Sequence, residues 1–321
     1  MQILQAANFD EEMRTIADPV LDPIRKTGIM PVKDAPKGEG IYYEIYATKN
    51  AKAAMVMSHG FSENTVKIKE IIYYMVTQGY MVFAVDHRGH GRSFRQSPHP
   101  NLVHLNNFND YIEDLHQFVS LIVKTETSLP LFIFGHSMGG GIAAGYIERY
   151  PDDFKKAVLS SPMLKLHLPF PERITRVITG VKCLIGQGDT FGPGQGPYKG
   201  LEDFEGSSSS NRARFDHYQR LKKDNPPFQI SANSYGWIYH SICAIAKIRS
   251  RSACARIKIP VLILRCEEDA LIDPTGLDQF ADHTADCRII DFNNCRHEIY
   301  NSDDHIISAY YDAIFTFLGD S

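Results

Sequence analysis

Short apolar runs recur along the chain at Ala53–Ser58, Tyr80–Asp86, Leu131–Gly135, Lys156–Ser160, Pro260–Cys266 and Arg288–Phe292. Each is closed by turn-forming or polar residues, the pattern of a strand buried on both faces. Between them the period changes. Val66–Gln78 places apolar residues at 66, 68, 71, 72 and 75, one face of a helix. Phe108–Lys124, Gly140–Tyr150, Asn233–Ile248 and Ala309–Leu318 follow similar helical patterns. Strand–helix alternation predicts an α/β fold, a mostly parallel sheet flanked by helices on both faces with right-handed crossovers.

The alternation fails from about Met163 to Ala232. Gly186–Gly200 is glycine-rich and Ser207–Ser210 is a serine run. An irregular stretch of this length inside a compact domain reads as a lid or inserted cap. The expected organisation is an α/β core from 1 to 162, a cap from 163 to 232, and the rest of the core from 233 to 321.

Gly135-His136-Ser137-Met138-Gly139 matches G-x-S-x-G where a strand meets a helix. A nucleophile in so sharp a turn needs small neighbours, which Gly135 and Gly139 supply, and the helix directs free N–H groups at the site. A serine hydroxyl needs a base, and in this arrangement the acid and the histidine follow the serine in that order. Glu267-Glu268-Asp269 follows the strand Pro260–Cys266, and His297 follows the strand Arg288–Phe292. The expected triad is therefore Ser137, Asp269 and His297. Asp273 and Glu268 are the rival acids. The expected oxyanion donors are the N–H of Met138, after the nucleophile, and that of Phe61, in the loop after Ala53–Ser58. His59 reads as a brace for that loop. Asp86–Ser93 (DHRGHGRS) offers a metal-site alternative through its aspartate and histidines, set against a glycine-shaped turn with Asp86 and Arg88 bonded locally; the turn is the favoured reading.

Composition narrows the class further. Among 321 residues, 43% hydrophobic and 22% charged exclude a largely disordered chain. A formal net charge of −4 gives no drive toward nucleic acid. The six cysteines form no C-x-x-C pair and read as reduced, mostly buried thiols. Met1–Val20 lacks the apolar segment of a secretory signal, and the charge-free stretch Leu129–Ile147 is broken by glycines. A cytoplasmic protein is expected. No metal or organic cofactor is expected, and oligomeric state is not legible.

HG-F-S-E-N (59–64), DHRGHGRS (86–93), GHSMGG (135–140), EEDALIDP (267–274) and CRHEIYNSDD (295–304) resemble the α/β-hydrolase superfamily. Within it they are similar to the monoacylglycerol lipases and bacterial L2-type lysophospholipases. The resemblance implies an α/β-hydrolase fold with an inserted cap. It implies a serine carboxylic-ester hydrolase working through an acyl-enzyme on single-chain lipid esters, lysophospholipid or monoacylglycerol. The alternative is an esterase for small non-lipid esters; an inactive hydrolase fold used for binding is more remote. The partner is then a small-molecule or lipid ester, with the cap as the surface for transient membrane contact. Met163, Leu164, Leu166, Leu168 and Phe170 are candidates for an acyl groove, or else for the cap's own core. Arg212, Arg214, Arg220, Lys222 and Lys223 are candidates for a basic rim that greets a phosphate headgroup, against the simpler reading of a solvated amphipathic helix.

Overall fold

A computed structural model describes residues 1–319. Among these the main sheet has eight strands. In chain order the strands are β1 (Arg25–Met30), β2 (Ile41–Tyr46), β3 (Ala53–Ser58), β4 (Tyr80–Val85), β5 (Leu102–Val103), β6 (Leu131–His136), β7 (Lys156–Ser160), β8 (Ala232–Asn233), β9 (Val261–Glu268) and β10 (Cys287–Arg296). The sheet order is β1-β2-β4-β3-β6-β7-β9-β10, and the two-residue strands β5 and β8 pair separately. From β4 through β10 the neighbours run parallel. β2 lies antiparallel to both β1 and β4. The chain has the α/β-hydrolase fold.

Alternation along the strands sends successive side chains to opposite faces, so two cores form. Val56, Phe83, Ile133, Leu159 and Ile263 fill one. Met57, Val82, Phe134, Val158 and Leu264 fill the other. The six strands expected from the sequence are present. β1, β2 and the two-residue β5 and β8 were not anticipated: β1 is exposed at four of its six positions, and its RKTGIM sequence carries no apolar run.

The stretch where the alternation failed contains two helices of 13 residues, Glu172–Leu184 and Arg212–Asp224. The first packs antiparallel on the helix Tyr235–Ile248, with Gly180 against the Tyr239 ring and Glu172 paired to Arg249 at 2.8 Å. Its apolar side chains face solvent rather than this contact. Ile174, Val177, Ile178, Val181 and Leu184 are all exposed, Leu184 at 88%. The second is capped by Asn211, whose side chain accepts from the N–H groups of Ala213 and Arg214. It presents Arg214, Phe215, Tyr218, Gln219 and Lys222 inward.

That inward face overturns the expected basic rim at two positions. Arg214 is 1% exposed. It pairs with Glu70 at 3.2 Å and Asp304 at 2.8 Å and donates to the Leu4 carbonyl at 2.7 Å. Lys222 is equally buried and pairs with Glu202. Each charge turns inward because a carboxylate waits there. The outward Arg212 is paired to Asp216 at 2.8 Å, and Arg220 to Asp10. Of the expected acyl-groove residues, Met163 and Leu164 belong to the core, while Phe170 is exposed beside the first cap helix.

Candidate active site

The turn that carries Ser137 is built by exclusion. β6 ends at His136, Ser137 adopts φ 51° and ψ −118°, and the helix Met138–Arg149 begins at once. This conformation is costly for a residue with a Cβ and persists only where the surroundings over-determine it. A Cβ on Gly135 would lie 2.5 Å from the Gly139 carbonyl oxygen, and one on Gly139 would lie 2.0 Å from that of Ser58. The Ser137 N–H donates to the Ser160 carbonyl at 3.0 Å, and the Ser137 carbonyl accepts from Met163 N–H at 2.8 Å. Ser137 is thereby held at the carboxyl ends of β6 and β7.

The candidate acid and base meet at the ends of the next two strands. His297 Nδ1 donates to Asp269 Oδ2 at 2.8 Å. Asp269 Oδ1 accepts from the N–H groups of Leu271 and Ile272, both at 2.9 Å. Burial pushes the Asp269 carboxyl up, but the hydrogen bond and charge of His297 and the two backbone donors outweigh it and hold it below the ordinary value. With Nδ1 committed to the carboxylate, Nε2 is the free nitrogen. It is buried and has no hydrogen-bond partner among the described residues. His297 sits against the nucleophile's neighbours: its ring centroid is 5.0 Å from that of His136, and its carbonyl accepts from Ser161 Oγ at 2.9 Å.

The rival acids are placed elsewhere. Asp273 caps the helix Pro274–His283 through Thr275 N–H at 3.0 Å and pairs with Lys165 at 2.8 Å. Burial raises its carboxyl slightly, but the bonds from Lys165 and Thr275 hold it at about 2. Glu268 is the exposed last residue of β9.

Phe61 lies in the loop after β3, its ring 4.8 Å from Trp237 and 5.5 Å from His90. Met138 is the first residue of the helix that follows Ser137 and is buried. Among the described residues neither N–H donates a hydrogen bond, as oxyanion donors require before substrate arrives. His59 accepts from His87 N–H at 2.9 Å through Nε2, and its Nδ1 donates to the Gly60 carbonyl at 2.7 Å. It spans the two loops as a neutral imidazole, its proton affinity lowered by burial. Asp86 accepts from Thr65 N–H at 2.6 Å and Arg92 N–H at 2.8 Å, and Gly91 at φ 51° leaves room for its carboxylate. Arg88 does not bond locally as expected. It forks onto Asp114 at 2.6 and 2.8 Å, 26 residues away. Among the described residues no cluster of His, Cys, Asp or Glu is arranged to hold a metal ion.

The sequence reading did not use two further arrangements. Glu63, inside the quoted HG-F-S-E-N run, accepts from Gly60 N–H, His136 and Tyr300 beneath the site. Arg296, next to His297, donates to the carbonyls of Phe204 and Ser209 at 2.9 and 3.2 Å, and its N–H donates to Ser210 Oγ at 2.7 Å. The serine run Ser207–Ser210 is thus knitted to the loop that carries His297. Nothing in its composition announces this, because the partners lie more than 80 residues apart.

Comparison with known proteins agrees with this architecture. The chain is 29% identical over 252 residues to a probable lysophospholipase L2 of Haemophilus influenzae, covering 78% of this chain and 79% of that one. It is 26% identical over 267 residues to a monoacylglycerol lipase of Mycolicibacterium smegmatis, covering 82% and 88%. A soluble variant of monoglyceride lipase from Saccharomyces cerevisiae, solved with a substrate analog, superposes with a TM-score of 0.72 at 20% identity, covering 92% of this chain and 96% of that one. The family model described as serine aminopeptidase, S33 (Hydrolase_4) matches residues 49–304, and the chain belongs to that family of α/β hydrolases.

Proposed function

We propose that this protein is a serine carboxylic-ester hydrolase for single-chain lipid esters, lysophospholipid or monoacylglycerol. The observation that carries the reading is the His297–Asp269 bond at 2.8 Å, with His297 Nε2 unpartnered beside the strained Ser137 turn. Ser137 Oγ attacks the ester carbonyl carbon while His297 Nε2 takes its proton. Asp269 fixes the imidazole tautomer and balances the charge that forms. The N–H groups of Phe61 and Met138 hold the oxyanion. The carbon–oxygen bond to the alcohol breaks as His297 returns the proton to it. Water then enters and attacks the acyl carbon as His297 takes its proton; the bond to Ser137 Oγ breaks, His297 returns the proton to Oγ, and the fatty acid leaves. Similarity to the lysophospholipase and the monoacylglycerol lipase supports a lipid substrate.

The cap belongs to the same proposal, as residues 163–232 set over a core of 1–162 and 233–321. At 100° per residue, Ile174, Val177, Ile178, Val181 and Leu184 fall within an arc of about 120°, a stripe wide enough for a core-facing helix, yet all are exposed. Exposed Arg173 and Arg176 lie along one edge of the stripe. An apolar face with a basic edge suits a surface of anionic lipid, so the cap rests transiently on the membrane from which substrate comes. Among the described residues no helix is long and apolar enough to cross a membrane. Six free cysteines suit a reducing compartment, the cytoplasm.

Two measurements test the reading. A fluorophosphonate probe is expected to label Ser137 in the wild type and not in Ser137→Ala; an unlabelled wild type would refute the nucleophile. On a series of p-nitrophenyl esters, turnover is expected to favour medium and long acyl chains. A maximum at acetate would favour the small-ester alternative.

A further inference from the structure

Beneath the site lies a buried carboxylate that serves three separate elements. Glu63 is 2% exposed. Its Oε2 accepts from Gly60 N–H at 2.5 Å and from His136 Nδ1 at 3.2 Å. Its Oε1 accepts from Tyr300 OH at 2.5 Å and lies 3.5 Å from Lys67 Nζ. Lys67 in turn pairs with Glu298 at 2.5 Å, and Glu298 accepts from Asn301 at 2.7 Å. An ionised carboxylate has about four lone-pair sites; three take hydrogen bonds here, and Lys67 adds an ion pair.

The origin of these donors matters more than their number. Gly60 precedes Phe61 in the loop of the proposed oxyanion donor. His136 precedes Ser137. Tyr300 lies three residues after His297. A Cβ on Gly60 would come within 2.9 Å of both Glu63 Oε2 and His136 Nδ1, so the loop is packed directly on this pair. We infer that Glu63 is a positioning residue for catalysis: one buried carboxylate sets the oxyanion loop, the nucleophile turn and the base loop in register with one another. The inference rests on the assignment of Ser137 as nucleophile and goes beyond it, because Glu63 touches neither substrate nor triad.

The charge state fits the role. Burial opposes ionisation of Glu63, but the charges of His136 and Lys67 and the bonds from His136 and Tyr300 outweigh it and hold its carboxyl well below the ordinary range. Burial likewise disfavours a proton on His136, while the charge and hydrogen bond of Glu63 draw it above the usual histidine value. Each partner thus favours the charged form of the other. A clamp of this kind affects the rate more than the binding of substrate. A misplacement of about 1 Å at a reacting group costs roughly a hundredfold, and loss of one oxyanion donor costs about a hundred- to a thousandfold.

The test uses the full-length enzyme, a soluble p-nitrophenyl ester, and Ser137 sites counted by fluorophosphonate labelling taken to completion. Glu63→Gln keeps the size but replaces one acceptor oxygen with a donor, so one pair of bonds is lost. The kcat per labelled site is expected to fall about ten- to a hundredfold, with KM within about threefold of wild type. Glu63→Asp keeps the charge but falls one methylene short, and about a tenfold loss is expected. It carries the test if Glu63→Gln does not fold. Tyr300→Phe, which spares the Gly60 and His136 bonds, is expected to lower thermal stability while kcat falls less than in either Glu63 variant. Wild-type kcat per site in a folded Glu63 variant would overturn the inference. Failure of the wild type to label at Ser137 would instead overturn the nucleophile assignment, so the two failures are distinguishable.

Discussion

Replacing Arg214 by methionine separates a structural arginine from a substrate-binding one. The guanidinium donates to Glu70, Asp304 and the carbonyls of Leu4 and Ser302. It joins the cap helix Arg212–Asp224 to the N-terminal segment, to the helix Lys69–Thr77 that carries Glu70, and to the final helix Asp304–Gly319. Methionine approximates the volume and removes every donor. Glu70 is then a buried carboxylate left with only the Tyr74 hydroxyl at 2.7 Å. Breaking a buried pair by removing one partner costs about 3–5 kcal/mol, a large share of a typical domain's stability.

The loss should depend on pH with a definite sign. Burial already raises the Glu70 carboxyl above its ordinary value, against the charge and hydrogen bonds of Arg214. Without Arg214 it rises further. A carboxyl raised in the folded state favours folding below its unfolded value and loses that contribution as pH climbs through the folded value. The Arg214→Met deficit should therefore be largest at pH 7–8 and shrink toward pH 4, where Glu70 takes up a proton. Urea unfolding at several pH values reads the deficit, with Arg212→Gln as the control. That exposed residue is held by one surface ion pair, worth about 0.3–0.5 kcal/mol at helical spacing. A deficit below about 1 kcal/mol at neutral pH would refute the reasoning. So would wild-type stability combined with a selective loss of lysophospholipid turnover, which would restore the basic-rim reading.

Asp269→Asn should cost about four powers of ten in kcat by favouring the wrong imidazole tautomer, whereas Asp273→Asn, which weakens a helix cap and an exposed ion pair, should leave kcat within about twofold and lower stability by about 1 kcal/mol; steady-state kinetics and urea midpoints read both. Val177→Glu with Leu184→Glu should release the protein from anionic vesicles at least about tenfold, since each apolar side chain is worth about 1.5–3 kcal/mol when fully buried, while turnover of a soluble short-chain ester stays the same; unchanged sedimentation with vesicles would refute the cap's role. Gly139→Ala should abolish probe labelling, because its Cβ would meet backbone oxygen of β3 at 2.0 Å; a labelled, active variant would show that the nucleophile turn is less constrained than the packing requires.

The sequence alone was enough for those parts of the protein whose signal is local. The strands β3, β4, β6, β7 and most of β9 are buried on both faces, so each is an apolar run that can be seen without knowing its neighbours. The nucleophile turn is likewise local, because its glycines and its serine lie within five residues. Chain order also pointed to Asp269 and His297, which the fold brings to 2.8 Å of each other, with Asp273 only four residues further on. Tertiary structure separated those two: β9 runs on to Glu268, which leaves Asp269 at the strand end facing His297 and Asp273 as the cap of the next helix.

What escaped the sequence depends on partners far along the chain. The basic face of the cap helix reads as solvated until Glu70 is found 144 residues away and Asp304 90 residues away. The apolar stripe of Glu172–Leu184 has the pattern of a buried face, and only the fold shows that nothing in the described chain covers it. Glu63 stood in plain view within HG-F-S-E-N, yet its work is to gather Gly60, His136 and Tyr300, the last of them 237 residues distant. Hydrophobic pattern and turn chemistry act over a few residues and are written in the local sequence. The fate of a charged side chain is decided by whether a compensating group is brought within about 3 Å of it in a medium too poor in water to solvate it alone, and that is a property of the assembled fold.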